Sequence, residues 1–475
     1  MKRRDMLKQS LAGGAILATT PLAWGANPPA TVPGDAGGGM LAGFDREKIT
    51  PPLGTRMMGF GGRDYKQGCQ SIHDDLYVRA LFLEHKGQRV LILAYDLCFV
   101  GREEADRFKG ALGREFDLLP RQILINTSHN HAGPAIGTWY WSGYLPPERL
   151  YVNQVEKATL QAARRARERM REVTMTAGVG DTTLPLSRRK PDGKGGIAFA
   201  PNPEGRVYKH LPVCLLKDKK GKPVCLLFSV STHPSTVMGW DITAEYPGAA
   251  CRLLDEHLGT TAAMFLQGTA GDANSSVIGR GREKWERGSW AEVEEGGQIV
   301  ARETIAALGR PMSPVIPGIR TALTEVQLPL QPVPPRGEFE AVVKEVKPED
   351  CPRNIRCLWA TRQLTQLDRG EPLPASAGIL IQEISLGRGL RLVGIEGEPV
   401  GVWGWMIEDL FSRDVTFPLG YCNGQGMYLP VSAMIPEGGY EVVSYWEYGY
   451  PSPLATGMEN IVLNTLVRMQ ERGTG

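Results

Sequence analysis

Four times in this chain a short apolar run stops and polar, metal-competent side chains follow at once. Ile123-Leu124-Ile125 leads to Ser128-His129-Asn130-His131, and Leu226–Val230 leads to Ser231-Thr232-His233-Pro234. Met264–Leu266 leads to the stretch from Gln267 to Asp272, and Leu392–Ile395 to Glu396-Gly397-Glu398-Pro399. Runs this short and this apolar fit strands buried on both faces. Strands are expected over Arg89–Val100, Gln122–Ser128, Val224–Thr232, Ala262–Gly268 and Leu390–Ile395. Helical spacing is expected over Glu103–Phe116, Pro147–Arg171, Tyr246–His257, Trp285–Leu308 and Val400–Phe411. The alternation predicts an α/β fold, a layered mixed or parallel sheet flanked by helices. Ligands of such folds collect beyond the carboxyl ends of the strands, so a metal site is expected there.

The 475 residues, 42% of them hydrophobic, allow one large core or two smaller ones. The formal charge is +2, and the first 25 residues alone carry +3, which leaves the remainder near −1. That balance excludes nucleic acid as a partner. The arginines between Ala163 and Glu172 read as a solvated helix face. Lys2-Arg3-Arg4-Asp5, the apolar stretch Leu11 to Leu22 and the small residues near Ala26 resemble a twin-arginine export signal over residues 1–26. Neither that stretch nor any later one is long enough for a transmembrane segment. The mature protein is expected to be periplasmic or secreted. Residues 27–39 read as a flexible tether and residues 40–475 as the catalytic domain. Residues 309–375, Pro-rich and poorly periodic at first, then helix-like near Glu338–Val346 and Arg353–Leu367, read as a cap or insertion. The eight cysteines include no CxxC, which argues against a cysteine-built zinc site. Cys351 with Cys357, and Cys214 with Cys225, are spaced to bridge, with buried free thiols the equal alternative for each pair.

His129 and His131 lie two apart, and in extended backbone such residues point to the same side. With His233 and Glu398 in equivalent places after their own strands, imidazoles and a carboxylate form a set suited to zinc with an open position. Asp241 and Glu245 are candidates for the metal shell or a general base, with helix N-terminal charge as the plainer reading. Trp139 and Trp141 follow the histidine pair and are expected to wall a cleft, whereas Trp403 and Trp405 on a helix are expected in the core.

Further segments, in order, carry a resemblance. They are Ile49-Thr50-Pro51-Pro52, Met57-Met58-Gly59-Phe60-Gly61, Ile72-His73-Asp74-Asp75-Leu76-Tyr77-Val78-Arg79-Ala80, Asp96, and His129 through Pro134. Ser187-Arg188, His233-Pro234, Gly271-Asp272, Gly397-Glu398, Asn423 through Tyr428 and Tyr440-Glu441 complete the set. Over residues of about 40–450 the chain resembles the catalytic domain of the neutral ceramidases, zinc amidases that cleave the N-acyl bond of ceramide.

The resemblance implies that His129, His233, Glu398 and Tyr428 hold Zn2+. It implies that His131 handles protons and that Arg188 and Tyr440 hold the substrate carbonyl oxygen. A tyrosine ligand needs a nearby cation to give up its proton near neutral pH. Metal-activated water attacking an N-acyl bond would be the reaction. Two departures bear on the substrate. Asn274 stands where the family usually has a serine, so Asn274 and Asp272 are expected to bind substrate. The family's C-terminal β-sandwich domain has no room after Tyr440, which puts long-chain ceramide in question. A small-molecule, lipid-derived or glycan-derived substrate is expected. The alternatives are a metal-dependent hydrolase or lyase acting on carbohydrate, and a non-catalytic metal-dependent binding protein.

Overall fold

The structure, a computed structural model, describes residues 39–472 apart from 62, 65, 66, 135 and 139–145. The expected export signal, nearly all of the tether, and Trp139 and Trp141 lie outside the described residues.

Two sheets face each other, and helices cover their outer sides. The larger sheet runs in the order Ala263–Gln267, Pro223–Val230, His210–Asp218, Arg171–Asp181, Met40–Lys48, Tyr77–His85, Gln88–Tyr95, Ile123–Thr127, with Ser313–Pro314 added beside Arg171–Asp181. It is parallel at its two ends and antiparallel between them. The smaller sheet holds Ile316–Pro329, Ser376–Arg388, Leu390–Ile395 and Val415–Leu419, the last pair parallel. Strand periodicity explains the layering. On Tyr77–His85, Val78, Ala80 and Phe82 pack outward against the helices Arg102–Phe116 and Arg149–Glu168. The alternate residues Leu81 and Leu83 pack inward on Ile384, Leu390 and Phe417 of the second sheet. Helices Glu245–Leu258 and Trp290–Leu308 cover the rest of the larger sheet. Gly401–Leu410 and Met458–Arg472 cover the smaller one. The α/β reading holds, but the second sheet lying face to face with the first was not anticipated. No helix among the described residues is long and apolar enough to cross a membrane.

The stretch read as a cap or insertion divides in two. Ile316–Pro329 is a long strand paired with Ser376–Arg388 and belongs to the smaller sheet. Its prolines sit near its ends, where a missing N–H costs least. The second half folds as helices Arg336–Lys344 and Ile355–Asp368, with Cys351 and Cys357 disulfide-bonded between and into them. Cys214 and Cys225 are buried free thiols. The helical pair docks on residues 444–450 through Trp359 Nε1, which donates to Tyr450 O (2.9 Å), and Gln363 Nε2, which donates to Gly449 O (3.0 Å). The helix expected from Trp285 begins at Trp290, because Ser289 and Glu292 form a capping box there. Residues 285–288 are thereby left in a loop.

Candidate metal centre

At the carboxyl ends of their parallel pairs the two sheets are stitched together. Isolated bridges join Asn126 to Cys422 and Gly268 to Leu419. Asn126 Nδ2 donates to Gly420 O (2.9 Å) while its Oδ1 accepts from Gln267 N (2.8 Å). Each strand that ends here delivers a side chain above this seam. His129 follows Ile123–Thr127 and His233 follows Pro223–Val230. Glu398 and Tyr428 are register partners in a short parallel ladder, and therefore sit side by side.

The expectation that His129 and His131 share extended backbone does not hold. His129 is left-handed (φ 60°), so a turn rather than a strand pleat brings its Nε2 within 3.0 Å of His131 Nε2. Left-handed Tyr421 (φ 55°) and Asn423 (φ 63°) lie beside it, a cluster of backbone strain of the kind that collects at functional sites. Gly397 (φ 92°) makes the turn into Glu398; a Cβ there would lie 2.4 Å from Met427 O. The Met57–Gly61 motif buttresses His131. Met58 N donates to Gly133 O (3.0 Å), and Arg63 Nη1 donates to His131 O (3.0 Å).

Hydrogen bonding sets the tautomers. His233 Nδ1 faces Ala270 O at 2.9 Å and Ala273 O at 3.1 Å, and His129 Nδ1 faces Cys98 O at 3.3 Å. Carbonyls only accept, so each Nδ1 carries the proton and each Nε2 a lone pair. Glu398 Oε2, also an acceptor, lies 3.3 Å from His129 Nε2 and 3.2 Å from His233 Nε2. Tyr428 OH lies 3.2 Å from His233 Nε2. His129, His233 and Glu398 are each no more than 2% exposed. His129 Nε2, His233 Nε2 and Glu398 Oε2 are three acceptors converging in a dry site, the arrangement a divalent cation satisfies, with the carbonyl partners of Nδ1 as its outer support. The donor set thus fits zinc.

Charge around the site is ordered. Burial, then His129 and His233, drives His131 well below the usual imidazole value, so it is neutral and able to accept a proton. Burial and Arg188 bring His233 down to about 4. Burial raises Tyr428 well above an ordinary phenol, with Arg188 opposing. Burial works against the Arg188 cation, but Tyr428 and Glu441 keep it charged.

Arg188 Nη1 lies 3.3 Å from His233 Nε2 and 3.5 Å from Asn274 Oδ1, while its Nε donates to Glu441 Oε1 (2.8 Å). Its Nη2 has no partner, and its guanidinium stands over the Tyr440 ring at 5.5 Å. Tyr440 OH is spent on Glu447 Oε2 (2.7 Å), so it reaches a substrate oxygen only by leaving that carboxylate. His131, Arg188, His233, Asn274, Tyr428 and Tyr440 all line one cavity of about 640 Å3.

Asp272 does not line it. Its Oδ1 accepts from Gly401 N (2.7 Å) at the start of a helix, and burial lifts its carboxyl to about 6. Its placement is structural rather than substrate-facing. Glu245 likewise ties down a loop, accepting from Val237 N (3.0 Å), and Asp241 pairs with Ser71. Trp403 is core, its Nε1 donating to Leu429 O (2.9 Å); Trp405 is half-buried against Tyr208. The His73-Asp74-Asp75 motif serves the scaffold, with Asp74 accepting from Thr243 Oγ1 (2.6 Å) and Ala244 N (2.7 Å). Asp96 takes the buried Arg79 (2.7 Å). Sequence reasoning missed Asn126 and Phe199, whose only signal was polarity or size at positions without a pattern, and it named Glu441 only within a resemblance segment, without a role. Tyr448, which holds Glu398, was not singled out either.

Fold and site together define a layered α/β protein with a buried His–His–Glu–Tyr cluster that reaches a cavity through His233 and Tyr428. The fold is that of the neutral ceramidases. The crystal structure of neutral ceramidase from Pseudomonas aeruginosa matches at a TM-score of 0.69 with 16% identity, covering 91% of this chain and 75% of that one. A structure of ceramidase complexed with C2 matches at 0.70 with 15% identity, covering 91% and 76%. No family model and no curated protein matches the chain.

Proposed function

We propose that this chain is an exported zinc-dependent hydrolase that cleaves an N-acyl amide or a closely related acyl bond. One observation carries the reading: His129 Nε2, His233 Nε2 and Glu398 Oε2 converge as acceptors within 3.3 Å contacts, beside the buried Arg188 cation and next to a cavity that His233 itself lines. The likeness to ceramidases supports it as shared fold, and the leader over residues 1–26 supports export to the periplasm or the medium.

His129, His233, Glu398 and Tyr428 would hold the cation. Bound there, a zinc ion supplies Lewis acidity that polarises a carbonyl and acidifies water. The chain's own groups do the rest. His131, neutral by burial, accepts a proton at a ring nitrogen and returns it to the departing amine. Arg188 offers the unpartnered Nη2 to developing negative charge on the carbonyl oxygen, and low surrounding polarity strengthens that contact. Asn274, with Oδ1 turned to Arg188, offers its amide N–H to substrate. Tyr440 joins Arg188 once it leaves Glu447.

The test is metal analysis of the purified protein followed by turnover assays on N-acyl amides, acyl esters and glycosides. Stoichiometric zinc with amide cleavage, lost in His131→Ala and Arg188→Ala, is the expected result. Cleavage of glycosides alone would sink the amidase reading.

A further inference from the structure

One wall of the cavity is made by two segments outside the metal cluster. Gly288 N donates to Thr236 O (2.8 Å), joining the loop 285–288 to the turn after His233. Trp285 is pinned in that wall by Gly279, where an added Cβ would lie 2.2 Å from the indole ring. The indole N–H of Trp285 and the hydroxyl of Thr236 are both withdrawn from solvent with no hydrogen-bond partner. Both residues line the cavity, and so does Arg287.

Arg287 differs in kind from the other charged lining residues. Arg188 is bound by Glu441 (2.8 Å), Glu286 lies 3.6 Å from Arg282, and Glu447 takes the Tyr440 hydroxyl. Arg287 is exposed and forms no ion pair among the described residues. The wall therefore gathers a guanidinium, an indole N–H and a hydroxyl, while its one carboxylate, the exposed Glu286, lies on the side of Arg282. A guanidinium with neighbouring neutral donors matches the planar, two-oxygen geometry of a carboxylate. A cavity of about 640 Å3 suits a molecule of drug size with a few placed polar groups.

We propose that the substrate is an amide carrying a carboxylate, as in an N-acyl amino acid, with the carboxylate held at the wall of Arg287, Trp285 and Thr236 while the amide carbonyl meets Arg188 and Asn274. This rests on the amidase reading above and narrows it to an anionic, water-soluble substrate. Hydrolysis is balanced by water alone: the C–N bond breaks, the acyl carbon takes the hydroxyl, and the nitrogen takes a proton.

The zinc-loaded enzyme is assayed on matched pairs, N-hexanoylglycine against N-hexanoylglycinamide, and adipic acid monoanilide against hexananilide. The second pair places the charge on the acyl half. In one pair at least, the acid is preferred in kcat/KM by about tenfold or more, through a lower KM. Arg287→Ala brings that ratio toward one. Arg287→Glu, a change at an exposed position, inverts it. Gly279→Ala, which displaces Trp285, lowers the ratio as well. If acid and neutral amide are cleaved equally and Arg287→Glu leaves the ratio unmoved in both pairs, the carboxylate inference fails while the amidase reading stands. If no amide in either pair is cleaved by enzyme that binds zinc, both fail.

Discussion

Tyr448 donates its hydroxyl to Glu398 Oε1, leaving Oε2 as the oxygen turned toward His129 and His233. A carboxylate anchored through one oxygen is a more faithful ligand through the other. Tyr448→Phe keeps the ring packing and removes the anchor. Its zinc affinity is expected to fall about 10- to 100-fold, measured by competition with a chromogenic chelator. Unchanged affinity would show that Glu398 needs no such anchor.

Metal removal should register as lost stability as well as lost turnover. On the proposed function, zinc would bind a preformed cluster that the unfolded chain lacks, and at a hundredfold excess over Kd it would add about 2.7 kcal/mol. Treatment with a chelator is expected to lower Tm, and zinc to restore it, in the parent protein. In Glu398→Gln the two melting curves should lie much closer together.

Glu441 holds two buried cations at once, Arg188 at 2.8 Å and Arg189 at 2.7 Å. The arginines in turn hold the carboxyl below its ordinary value against the opposing effect of burial. Glu441→Ala leaves the Arg188 guanidinium without a counter-charge in a dry environment, while Arg189 keeps Glu437 (2.9 Å), and this costs about 3–5 kcal/mol. Urea denaturation should record a loss of that size. Glu441→Gln, which retains an acceptor but not the charge, should lose less.

Lys109, on the helix Arg102–Phe116, is 3% exposed and its Nζ has no hydrogen-bond partner. Burial brings its amine down from 10.5 to about 8, with Asp106 opposing. Between those values the unfolded chain binds more protons than the folded one, so this group makes stability rise with pH from about 8 to 10.5. Below pH 8 both states are charged and the penalty is complete, roughly 3 kcal/mol. Lys109→Met should therefore stabilise the protein most at neutral pH and progressively less toward pH 10. Thermal melts across that range would read the difference, and a pH-independent effect would refute it.

The buried strands and the helices were legible because burial on both faces forces continuous apolar runs, and a helix needs its 3.6-residue spacing. The positions of His129, His233 and Glu398 were legible for the same reason: each follows a run that ends. The second sheet was hidden, because Ile316–Pro329 is half-exposed and opens and closes with prolines that break its pattern. The turn at His129 was hidden too, since a left-handed histidine looks like any other histidine. Asn126 and Tyr448 act through partners such as Gln267, 141 positions away, and Glu398, 50 positions away, and no local pattern encodes such distances. Asp272 misled for the converse reason: a carboxylate beside a site motif can be spent on a helix start.

The four proposed ligands sit on separate segments between His129 and Tyr428, each placed by a different strand end. No early piece of the chain can assemble a partial chelate, because each ligand waits on contacts distant in sequence. A zinc ion held by these four would therefore not act as a nucleus for folding, as it does in small metal-templated domains. It would enter as a latch on a finished chain, and its uptake would count molecules in which both sheets have already closed.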